Sequence, residues 1–189
     1  MHNFNRRLLL TITLALLVAL PAVAGDAVEE RYSALALSMG TTATGARAVV
    51  TIGITGWTSA EDRERLLRTL VEKGHKELKS ELFKQDQIGF IKVGNSLGYP
   101  LRYIWESKVD GKRHIVLATE RPLNAIEVMR NSRSRDHDIA LIKLVVDEKG
   151  KGEGSLAAAV ELNVEDNHLE IKTHSSEPVR LMSVKRLKK

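Results

Sequence analysis

Trp57 to Lys84 is the one stretch of this chain with a sustained helical period, and the segments on either side alternate like strands. Advancing about 100° per residue, Leu66, Leu67, Leu70, Val71, Leu78 and Leu82 fall within an arc of roughly 160°. That arc predicts a helix with one buried face. The other face carries Arg63, Arg65, Arg68, Glu72, Lys76, Lys79 and Glu81, with Glu61/Arg65, Glu64/Arg68 and Glu72/Lys76 at the i,i+4 spacing that lets side chains meet. Thr58 with Glu61 predicts a capping box, and Glu61 and Asp62 put negative charge where the helix dipole is positive. Gly74 can end the helix as a C-cap. The leucines beyond it keep phase with those before, however, so the pattern favours one long helix with Gly74 at a close backbone approach.

Around that helix, Tyr32 to Met39 and Ala46 to Thr55 alternate with a period of two, as half-buried strands do. Ile88 to Val93 and Tyr99 to Lys108 continue the pattern, the latter with Tyr99, Leu101, Tyr103 and Trp105 expected on one face. Asp110-Gly111 is a type I′ hairpin signal and pairs that strand with Arg113 to Glu120. Leu123 to Met129 is expected to form a short helix. Ile139 to Glu148 is apolar on both faces and reads as a central strand. Strands near Leu156 to Val164, His168 to Thr173 and Val179 to Leu187 complete a set of about nine, linked mostly by short turns that favour antiparallel neighbours. The expected class is α+β: a strongly curved, mainly antiparallel sheet, barrel-like or a roll, covered by one long amphipathic helix. A flat sandwich is the alternative.

Arg6 and Arg7 precede an uncharged run from Leu8 to Leu20, followed by Pro21 and the small-residue site Ala22-Val23-Ala24. This is the layout of a secretory signal peptide, with an apolar run too short to span a bilayer comfortably. Residues 1–24 are therefore expected to be a leader, and residues 25–189 one exported domain, periplasmic or secreted. The chain has no cysteine, so the domain must stand on its core without disulfides. Its formal charge of +5 falls to +3 without Arg6 and Arg7. Charges of both signs are interspersed along the sequence, which argues against nucleic acid as a partner.

Several short phrases run through the mature chain: Trp57-Thr58 leading into Arg65-Leu66-Leu67, Lys73-Gly74, Gly94 to Leu101 with Arg102-Tyr103, Ala118-Thr119-Glu120-Arg121-Pro122, Gly152-Glu153-Gly154, and Glu177-Pro178-Val179-Arg180-Leu181. In these the chain resembles an uncharacterised family of exported bacterial proteins. The resemblance implies a single exported domain and brings no activity with it.

Candidate chemistry is sparse. Gly94-Asn95-Ser96-Leu97-Gly98 matches G-x-S-x-G, with Asp136 or Asp138 and then His168 or His174 downstream in hydrolase order. A nucleophile elbow needs a helix directly after the serine, whereas Tyr99-Pro100-Leu101 enters a strand. Ser96 is thus a weak catalytic candidate in what reads as a hairpin loop. His75, His114, His137, His168 and His174 form no close pair, and Asp136-His137-Asp138 converges on a metal only within a loop, so neither a metal nor a cofactor is expected. Arg121, Arg130, Arg133 and Arg135 cluster in sequence and are candidates for gripping an anion or anionic lipid, since guanidinium groups hold carboxylate and phosphate bidentately. Tyr99, Tyr103 and Trp105 are candidates for lining a ligand cavity.

These features predict a non-enzymatic exported domain that binds a small ligand or a cell-envelope component. A structural or inhibitor-like protein-interaction module is the second reading, and a hydrolase using Ser96 the third. A membrane surface or another protein is the expected kind of contact. An enclosed apolar cavity would favour the binder, and a filled core with an exposed apolar patch the interaction module.

Overall fold

The computed structural model describes residues 29–38, 45–95, 97–123, 139–165, 168–173 and 179–188. In chain order these form β1 (Glu30–Leu37), β2 (Arg47–Ile54), α1 (Ala60–Lys73), α2 (His75–Phe83), β3 (Gly89–Val93), β4 (Tyr99–Leu101), β5 (Tyr103–Val109), β6 (Lys112–Ala118), β7 (Ile139–Val146), β8 (Lys151–Glu165), β9 (His168–Thr173) and β10 (Val179–Arg186). Every strand pairing is antiparallel. The strand order is β4-β3-β2-β1-β10-β8-β7-β6-β5, with β9 paired to the far half of β8. Arg102 alone separates β4 from β5, so chain continuity joins the two ends of that order. The sheet is therefore a nearly closed, barrel-like meander.

Alternation along each strand decides which side chains fill the barrel. Tyr32, Ala34 and Ala36 of β1, Val50, Ile52 and Ile54 of β2, and Ile142, Leu144 and Val146 of β7 point inward and are buried in one apolar cluster. Asp110 and Gly111 both take positive φ, 50° and 72°, in the tight turn joining Val109 to Lys112. That is the turn the sequence predicts.

Four expectations change. The long helix is two helices broken at Gly74, whose φ of 82° and ψ of −176° leave the helical region. Its amide still closes α1 by donating to the Leu70 carbonyl, and its own carbonyl accepts from Leu78 to start α2. Glycine reaches this geometry without the steric cost other residues meet. The N-cap is Ser59, whose hydroxyl accepts from the Asp62 amide at 3.0 Å. Thr58 instead accepts from the Ile104 amide at 2.9 Å and ties the helix start to β5. Only part of the predicted apolar arc is covered: Leu66, Leu70, Leu78 and Leu82 are buried, whereas Leu67 and Val71 are exposed, because two short helices meet the barrel along a narrower stripe. Finally, the inward side switches at Arg102. Leu101 and Ile104 are both fully buried inside, so Tyr103 and Trp105 face outward instead of sharing a face with Leu101. The chain steps from one hydrogen-bonding neighbour to another there, and the strand pleat restarts.

The helical hairpin packs on the outer wall, where Leu66, Leu70, Leu78 and Leu82 meet Ala118, Ile139, Val160 and Leu162. Each such leucine contributes about 1.5–3 kcal/mol through burial. Arg65 ties α1 to α2 by reaching Glu81 at 3.2 Å while also pairing with Asp62 at 2.6 Å. His75 at the start of α2 accepts the Leu162 amide through Nδ1 at 3.1 Å, which fixes the hairpin to β8. Among the described residues no helix is long and apolar enough to cross a membrane.

Candidate functional site: a basic face of the barrel wall

The charged residues separate into two kinds. At the barrel end where β1 begins, the inward positions are polar, and Arg113 lies between two carboxylates. Its Nε and Nη2 donate to Glu106 at 2.9 and 2.6 Å, and Nη1 and Nη2 donate to Glu30 at 3.2 and 3.0 Å. Tyr32 donates its hydroxyl to Glu30 at 2.5 Å and accepts from Arg113 at 3.1 Å. Arg186 adds a longer contact to Glu30 at 3.8 Å. Burial works to raise the Glu30 carboxyl, but hydrogen bonds from Arg113 and Tyr32, with the charges of Arg113 and Arg186, hold it below its ordinary range. Burial and the hydrogen bond to Glu30 push the Tyr32 phenol well above its usual range. Donors and acceptors satisfy one another here, so this cluster closes the barrel end and holds no group set up for acid–base work.

The outer wall of β2, β1, β10 and β3 is different. Cross-strand pairing sets Arg47, Leu37 and Arg180 in one row, and Val49, Leu35 and Met182 in the next. Lys92, Thr51, Ser33 and Lys185 form a third, and Phe90, Gly53 and Arg31 a fourth. Five outward positions are cationic, Arg31, Arg47, Lys92, Arg180 and Lys185, and no outward position of these four strands is Asp or Glu. None of the five is paired with a carboxylate among the described residues. Their centre is apolar and open: Val49 is 56 % exposed and Met182 40 %, with Leu35 and Leu37 half-buried beside them. Phe90 lies flat over Gly53, where a Cβ would stand 2.3 Å from the ring, and Lys92 sits over the Phe90 ring at 5.5 Å.

A bulge sharpens the edge of this face. One extra residue on β10 opposes β1 between Met182 and Lys185, with Ser183 at a φ of 51°. Such bulges bend a strand and re-aim its side chains. Beside it lies a groove of about 500 Å³ bordered by Arg180, Met182, Ser183, Lys151, Lys112 and Glu153. Glu153 and Asp147 also line this groove.

The sequence candidates fall in several places. Ser96, Arg130, Arg133 and Arg135 lie outside the described residues, as do the leader 1–24, Asp136-His137-Asp138, His174 and all but the first residue of the short helix expected over Leu123 to Met129. Arg121 is exposed and stacks over the Tyr99 ring at 5.1 Å, so one arginine candidate and one aromatic candidate meet. Tyr99 packs against the barrel interior, Tyr103 lies under the helical hairpin, and Trp105 lies beneath Arg63, 4.9 Å from its guanidinium. Arg102 is tied down by an ion pair to buried Glu120 at 3.2 Å and a hydrogen bond to the Gln85 carbonyl. Among the described residues no three histidine or acidic side chains gather as metal ligands.

Sequence reasoning missed the basic face because its members lie far apart along the chain. The signal was nevertheless there: at alternate positions of four strand segments the outward residues are basic, apolar or hydroxylic and never acidic.

The molecule is therefore a barrel-like antiparallel sheet with a helical hairpin on its wall and a separate basic face. Comparison with protein-family models, curated proteins and solved structures finds no match for the chain.

Proposed function

We propose that this chain is a non-enzymatic exported domain that docks on an anionic envelope surface through the outer wall of β2, β1, β10 and β3. The observation that carries the reading is the set of five cations, Arg31, Arg47, Lys92, Arg180 and Lys185, that have no carboxylate partner among the described residues and frame exposed Val49 and Met182. Each lysine or arginine near an anionic bilayer is worth about 1 kcal/mol, and apolar side chains at the centre add interfacial burial. A soluble domain gains nothing in folding stability from gathering like charges, so the arrangement points to a partner. The signal-peptide-like N-terminus agrees with an envelope surface.

The test is co-sedimentation with vesicles of phosphatidylcholine alone and of phosphatidylcholine mixed with phosphatidylglycerol. The domain is expected to bind only the mixed vesicles and to dissociate as salt is raised, because screening weakens exposed charges. Equal binding to both, or tighter binding to DNA or acidic glycans than to the anionic vesicles at the same salt, would remove the lipid reading.

A further inference from the structure

Between the helical hairpin and the barrel wall is a second feature, an apolar groove of about 140 Å³. Leu66, Leu70, Leu78 and Leu82 form one side and Leu141 and Tyr103 the other. Tyr103 is the one lining residue with a polar side chain. Pockets for drug-sized ligands run from about 300 to 1,000 Å³ and place a few polar groups around the ligand. This groove is smaller and offers almost nothing to hydrogen-bond, which suits one unbranched alkyl chain.

Cations border its Val116 side. Val116 lines the groove and lies directly between Trp105 and Lys143 across β5, β6 and β7. Side chains opposite one another on a sheet face stand about 4.5–5.5 Å apart at Cβ. Lys143 is exposed, and Arg63 lies over Trp105 at 4.9 Å. Neither cation is paired with a carboxylate among the described residues. Two cations without a described carboxylate partner, Lys143 and an Arg63 that hydrogen-bonds Tyr103 and stacks on Trp105, thus stand on the Val116 side of a pocket that is otherwise hydrocarbon.

We infer that this groove binds a single-chain anionic amphiphile, a medium-chain carboxylate, with the tail between α1, α2 and β7 and the head group between Arg63 and Lys143. The inference stands apart from the basic face on β1, β2, β3 and β10 and does not rest on it. Charge complementarity selects the carboxylate head, and the small volume selects one short chain over a two-chain lipid.

The test is calorimetric titration of the full domain with decanoate, decanol and decyltrimethylammonium below their micellar concentrations. Decanoate is expected to bind one to one and more tightly than the other two, which share its tail. Arg63→Gln with Lys143→Gln should weaken decanoate at least tenfold and leave decanol unchanged. Val116→Trp, which fills that side of the groove at a half-exposed position, should weaken both ligands while the melting temperature holds. Three results would overturn the inference: no decanoate binding to the unmodified domain, decanoate binding unchanged in Val116→Trp, or equal affinity for the cationic amphiphile. Failure of all three ligands together with a concentration-dependent dimer lost in Leu67→Glu would also overturn it, and would make the groove an interface between copies.

Discussion

The barrel end and the barrel wall both carry arginines, and the two groups have opposite surroundings. Arg113 lies inside, 12 % exposed at its side chain, gripped by Glu30 and Glu106. Arg47 and Arg180 stand outside on either side of Leu37 with no carboxylate partner among the described residues. An enclosed charge must be paired, because an uncompensated one costs several kcal/mol. An exposed charge needs no partner for the fold, so where cations gather without acids their arrangement speaks of what they meet. The contrast separates the charges that hold the barrel together from those available to bind.

The sharpest way to break the contrast is Arg113→Ala. It leaves Glu30 and Glu106 without their shared cation and should cost about 3–5 kcal/mol, read as a lower urea midpoint with an unchanged slope. A loss below about 1 kcal/mol would mean that the end cluster is incidental. Acid probes the same cluster more gently. Glu30 is held below its ordinary value of 4.5 in the folded state, so its contribution is fully present above that value and is lost as pH falls through its lower folded value. Unfolding free energy should drop between pH 5 and pH 3, by less in Glu30→Gln than in the unmodified domain, with both pH values taken about the unperturbed carboxylate range.

Gly74→Ala tests the helix break. A Cβ there would meet nothing within 4 Å, so the cost is backbone strain alone at a φ of 82° and ψ of −176°, a region essentially confined to glycine, about 1–3 kcal/mol by thermal melting. No loss would show that the chain takes the continuous helix as readily. Smallest of all should be Arg47→Gln with Arg180→Gln, within about 0.5 kcal/mol of the unmodified domain, because both are exposed and neither pairs with a carboxylate among the described residues.

Much of the fold was legible in local pattern. The inward series Val50, Ile52, Ile54 and the turn at Asp110-Gly111 follow from periodicity and positive-φ chemistry that the chain carries locally. Gly74 was ambiguous because the leucines on both sides keep one helical phase, and only their packing against Ile139 and Leu162 decides where the helix breaks. The switch at Arg102 depends on two different neighbouring strands, which no single segment encodes. The basic face was hidden for the same reason. Arg31, Arg47, Lys92, Arg180 and Lys185 are interspersed with acids along the sequence, and pairing β1 with both β2 and β10 sorts the acids away from them.

The measurement that tests this account most directly compares two double variants with the same charge change. Arg47→Gln/Arg180→Gln removes cations that have no described carboxylate partner from the basic face, whereas Arg68→Gln/Lys84→Gln removes cations paired with Glu64 and Glu81 on the helical hairpin. At about 1 kcal/mol per cation near an anionic surface, the face variant should lose about thirtyfold in affinity for phosphatidylglycerol-containing vesicles. The helix variant should bind like the unmodified domain. Equal losses in the two variants, or none in either, would contradict the account.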